Sequence, residues 1–180
     1  MAAEPADPSA PLAILRAVGP EGRGNADATT AWRQLSTLPP AQIVVLLTAM
    51  DGANDLAANW IRSAAEVVLQ HAQREKAPLP LADLGAFLLE TRHDPRARHF
   101  AYEVLLKAEP AATTAALPGM LNDPAMDLRR DAVQQLITRA RALLSEGASN
   151  GAVLLFRQAL AHAREPDQIE AIVQPLKKLG

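Results

Sequence analysis

The densest group of chemistry-bearing side chains is Arg92, His93, Asp94, Arg96, Arg98 and His99. Two imidazoles and a carboxylate so close together invite a metal reading. His93 and His99, however, are six positions apart across a turn, not at the i, i+4 spacing of a helix-borne zinc site. The spacing favours a solvated turn with an Asp94–Arg98 pair, whose local basic charge would suit a phosphate or an acidic partner. A second group comprises Asp51, Asn54, Asp55, Asn59, Trp60 and Arg62. An exposed indole beside carboxylates and amides could hold a ligand by stacking. The reading we favour packs Trp60 between helices and uses Asp55 as a helix cap.

Other chemistries lack their residues. There is no cysteine, so thiolate metal sites and cysteine nucleophiles are excluded. Gly-x-Ser-x-Gly, His-Glu-x-x-His and paired carboxylates in an evident cleft are absent. The glycine-rich run Gly22–Asn25 does not continue into a phosphate-binding Lys-Ser/Thr. His71 and His162 sit late on helices, where a cation suits the dipole. We assign no catalytic residue, metal or cofactor, and expect a non-enzymatic protein.

The elements that must position these groups are helices. An alanine- and leucine-rich chain with few aromatics favours helix. One pattern recurs: Arg, then Ala three positions on, then Leu seven on. It occurs as Arg62, Ala65, Leu69; as Arg98, Ala101, Leu105; and as Arg129, Ala132, Leu136. The units are spaced by roughly 36 and 31 residues, a period of stacked helical repeats. These three positions share one helix face. A cation in a helix's first turn opposes the macrodipole, and each preceding turn offers carboxylates to offset it: Asp51 and Asp55, Asp94, Asp123.

This Asp-turn-Arg arrangement resembles the HEAT-repeat family over about Pro40 to Arg139, most closely in the third unit. The resemblance implies an all-α fold, a right-handed α-solenoid of about three HEAT-like hairpins with helical caps. It also implies a structural ladder in which Arg62, Arg98 and Arg129 meet Asp55, Asp94 and Asp123. Residues 1–10 are expected as a flexible tail and 11–39 as N-terminal capping helices, with Trp32 sealing the end. The repeats span 40–146, and 147–180 forms a C-terminal helical hairpin whose last turn, Leu176–Leu179, keeps an apolar face.

The net charge of -2 and pI near 6.1 speak against a phosphate-gripping surface, so nucleic acid is disfavoured as a partner. No apolar run has the length of a membrane span. Met1 precedes small residues and an acidic, proline-rich start, as after leader cleavage. That makes an exported chain one expectation and the cytoplasm the other.

The function implied by the architecture is binding, by a monomer, of a protein or peptide on a concave face made by the second helices. Its contact row would be Trp60, Arg96, His99, Arg130 and Gln134. Two alternatives stand beside it. A DNA-glycosylase subgroup built on HEAT-like repeats uses aromatic residues and an Asp in a basic groove. Trp60, Asp55 and Arg62 match those groups in type, against the acidic balance of the chain. The other alternative is a spacer domain of a larger bacterial exported protein.

Overall fold

The computed structural model describes residues 7–179, and among them every regular element is helical. Their packing divides into two compact units, with the boundary after Leu105.

The first unit begins with α1 (Ser9–Arg16) and α2 (Asn25–Leu35), followed by α3 (Ile43–Thr48) and the long α4 (Asp55–Glu75). α5 (Leu81–Leu89) and most of α6 (Pro95–Ala108) complete it. Residues 1–6 of the expected tail lie outside the described residues. Its remainder is helical from Ser9, because the Asp7 carboxylate accepts the Ser9 N–H at 3.0 Å and Pro11 fits the first turn. α1 packs on α2, both touch α4, and α3 packs on α4 with α5 beside it. Leu15, Leu35, Ile43, Leu46, Leu47, Met50, Ile61 and Leu84 are fully enclosed. Alanines at 57, 58, 64, 65 and 72 form the buried stripe of α4. Their small side chains let neighbouring backbones come close, so this core is built from leucine and alanine. Trp32 is half-buried, and the inward face of α2 is Ala28, Ala31 and Leu35.

In the second unit the first helix of the expected third hairpin is split. α7 (Pro110–Ala116) gives way to a 3-10 turn, Leu117–Met120. Pro118 lies within this turn, where its missing N–H removes a helical hydrogen bond. α8 (Met126–Ser145) follows, then α9 (Ser149–His162) and α10 (Pro166–Leu179). α8 packs most extensively on α9, and α10 closes against both. Leu128, Ile137, Phe156 and Ile172 are enclosed among them.

The α8–α9 junction follows from one glycine. Gly147 holds φ +80°. The Gly147 N–H bonds Leu144 O at 3.1 Å and the Ala148 N–H bonds Leu143 O at 2.9 Å, which satisfies the last carbonyls of α8. The chain can then reverse within three residues. In each unit successive helices pack as pairs, a repeat-like arrangement.

Candidate functional site

The polar side chains at the starts of α4 and α6 are tied to one another. The Asp51 carboxylate accepts the Asp94 N–H at 2.8 Å and lies 2.7 Å from His93 Nδ1. A carboxylate can only accept, which places a hydrogen on Nδ1. The His93 ring stacks on Phe87 with centroids 4.1 Å apart and planes 15° from parallel. Stacked on one face and bonded at one edge, it is 14% exposed. His93 therefore fastens one turn to the next.

Asp94 caps α6: its Oδ1 accepts the Arg96 N–H at 2.8 Å, with a longer contact from the Ala97 N–H at 3.4 Å. The Arg96 guanidinium grips the same carboxylate at 2.9–3.1 Å and reaches Asp55 at 2.9 Å. Partial burial pushes the Asp94 carboxyl up. The Arg96 side-chain and main-chain bonds, the Arg96 charge and the Ala97 N–H together outweigh it and hold the group below the ordinary carboxylate range. The bond to Asp94 raises Arg96 in turn.

Arg62, Arg98 and Arg129, expected in a ladder with Asp55, Asp94 and Asp123, differ in burial. Arg98 is 1% exposed, and its Nε donates to Leu88 O at 2.8 Å. A buried cation thus meets a carbonyl at the negative end of α5. Arg129 is also buried; it donates to the main-chain oxygen of Asp123 at 3.1 Å and meets Glu165 at 3.4 Å. Arg62, first in the sequence pattern, is half-exposed. It pairs with Glu66 at 3.0 Å and Glu103 at 3.6 Å and lies 5.9 Å from the Phe100 ring, while Asp55 goes to Arg96. The carbonyls ending the α3 hairpin turn are taken by Arg16, which donates to Ala49 O and Asp51 O. Arg16 escapes notice in the sequence because it stands outside the Arg-Ala-Leu pattern.

Of the expected contact row, Trp60 is half-buried. Arg96 is engaged as described. His99 is half-buried, 3.9 Å from Glu103 and tilted against Tyr102. Arg130 forms a two-pronged pair with Asp167, whose hydrogen bond raises the guanidinium and lowers the carboxyl. Gln134 is exposed one turn beyond Arg130 on α8. Trp60, Arg96 and His99 belong to the first unit; Arg130 and Gln134 belong to the second.

Several side-chain bonds join residues a similar distance apart along the chain. Arg96 and Asp55 are 41 residues apart, His93 and Asp51 42, and Asn54 and Val18 36. In the second unit Arg130 and Asp167 are 37 apart, Gln168 and Arg130 38, and His162 and Asn122 40. Each spans about one helix pair.

A different surface lies on the outer side of the C-terminal hairpin. Val153, Leu154 and Leu160 of α9 and Val173, Leu176 and Leu179 of α10 line a groove of about 700 Å³, edged by Asn150, Arg157 and Lys177. On the other flank of α10, Arg141, Leu144, Ala171, Gln174, Pro175, Lys178 and Leu179 line a second hollow. Leu154 is 67% exposed. The apolar final turn was noted in the sequence, but the groove needs α9 beside it.

Among the described residues no set of three or more His, Asp or Glu side chains is placed to hold a metal ion, and no helix is long and apolar enough to cross a membrane. No family model, curated protein or solved structure matches the chain.

Proposed function

We propose that the chain is a non-enzymatic, HEAT-like helical-repeat module, its hairpins stacked as a right-handed solenoid, that works by binding a protein or peptide partner. The observation supporting this reading is the period of its side-chain bonds. Asp51, Asp55, His93 and Arg96 could have formed a reactive cluster, yet they bond to groups 41 to 43 residues away, one helix pair along. A repeat protein uses its polar residues in this way to hold each unit to its neighbour. The charged residues are then framework, and the work falls to exposed surface.

Affinity capture with the intact chain from the lysate of its source, with eluted protein and nucleic acid both quantified, tests the reading. Recovery of one protein in stoichiometric amount is the expected result. Nucleic acid that stays bound in high salt, with base excision lost in Asp55→Asn, would overturn it in favour of the glycosylase-like alternative. Recovery of neither would replace binding with a spacer role.

A further inference from the structure

We infer that the groove between α9 and α10 is a docking site for an amphipathic helix of another protein, one whose apolar stripe is flanked by carboxylates. This rests on the protein-binding reading above and names the partner's chemistry.

Three observations carry it. The floor and walls are aliphatic: Val153, Leu154, Leu160, Val173, Leu176 and Leu179. Asn150 to Leu160 covers about 15 Å of helix axis, enough for about three turns of a third helix laid alongside. Such a helix would present anchors at i, i+3, i+4 and i+7, the usual mode of helix-in-groove recognition.

The second observation is charge. Arg157 and Lys177 edge the groove, and Arg141 and Lys178 line the hollow across α10; no carboxylate lines either. None of the four has an ion-pair partner among the described residues, whereas Arg130 on the neighbouring surface of α8 is paired with Asp167. Apolar anchors would supply the affinity, and this cationic rim would select acidic flanks and speed encounter.

The third is what the rim disfavours. Two copies of the chain meeting groove to groove would bring two cationic rims together with no carboxylate lining either groove, a like-charge contact. A helix fits, just as α9 fits against α8 in the same unit.

The test uses the intact chain and two labelled 16-residue helical probes with one leucine stripe. One carries glutamates beside the stripe, the other lysines. Fluorescence anisotropy should show the glutamate probe binding at least tenfold more tightly. Leu154→Glu, on an exposed position, should weaken it at least tenfold with an unchanged circular dichroism spectrum. Arg157→Glu with Lys177→Glu should reverse the preference between probes. Equal binding of both probes, or of neither, overturns the inference. So does binding to phosphatidylserine vesicles, or self-association by sedimentation, that Leu154→Glu abolishes while the glutamate probe stays unbound. A protein partner captured equally by the natural chain and by Leu154→Glu overturns the groove assignment while leaving the protein-binding reading intact.

Discussion

At the scale of single residues, identical positions in a repeat pattern can have different energetic roles. Arg98 and Arg62 occupy the same place in the Arg-Ala-Leu motif, but Arg98 is enclosed and bonded to Leu88 O, while the Arg62 side chain is 36% exposed. Arg98→Ala would leave a cavity and an unsatisfied carbonyl, and should cost about 3 kcal/mol of unfolding free energy. Arg62→Ala removes surface ion pairs and should cost less than about 1 kcal/mol. Urea unfolding of the two variants checks this; equal losses would refute the distinction. Asp94 offers a pH signature. Its folded-state pKa lies below its value in the unfolded chain, near 3.9. Between those values the unfolded chain binds more protons, so the contribution is present in full above the unfolded pKa and is lost as pH falls through the folded one. Asp94→Asn keeps a capping oxygen but loses the charge pair with Arg96. It should cost about 1 kcal/mol near neutrality, and the gap from the natural chain should close on acidification. A gap that persists below the folded-state pKa would assign the effect to packing instead.

At the scale of elements, the ends of α4 and α8 make an opposed pair. Both close with the same two bonds: Ala77 N to Ala72 O at 2.9 Å and Lys76 N to Gln73 O at 3.4 Å in α4, and the corresponding bonds at Gly147 and Ala148 in α8. Both require a left-handed residue, with φ +54° at Lys76 and +80° at Gly147. Gly147→Ala should therefore destabilise by about 1 kcal/mol and Lys76→Gly should stabilise by about 0.5–1 kcal/mol, readable as shifts of opposite sign in thermal midpoint. The contrast also explains what was legible in the sequence. Gly147 marks a helix end by its residue type, and the three Arg-Ala-Leu patterns fall within α4, α6 and α8. Lys76 gives no such signal, because lysine is not a residue type that favours the left-handed region. The same holds for the ladder. Asp94, Arg96 and Asp55 are visible as charged residues, but whether Asp94 takes Arg96 or Arg98 depends on which side of α6 faces inward. The side of α6 carrying Arg98 is buried. The groove was visible only as one apolar turn of α10, since its other wall belongs to α9.

At the scale of the whole molecule, charge separates the binding readings. A chain of net charge -2 gains nothing from a general field toward nucleic acid, so any DNA binding must come from a local basic surface. In the second unit Arg141, Arg157, Lys177 and Lys178 gather around α10 without an ion-pair partner among the described residues. If each neutralised one phosphate, the logarithm of affinity would fall against the logarithm of salt with a slope of about -3.6. The expected outcome is thus a weak association with duplex DNA, gone by about 0.2 M salt, with a slope no steeper than about -4. Arg157→Glu with Lys177→Glu should make the slope shallower by about 2, while Asp55→Asn should change nothing. Anisotropy with a labelled duplex across a salt series measures this directly. A slope near -8, or one insensitive to the rim charges, would require a basic surface elsewhere and would return the glycosylase-like reading to the front. A shallow slope that tracks the rim would tie the low-salt DNA contact and the acidic-helix preference to the same cations, with the aliphatic floor deciding which partner survives at physiological salt.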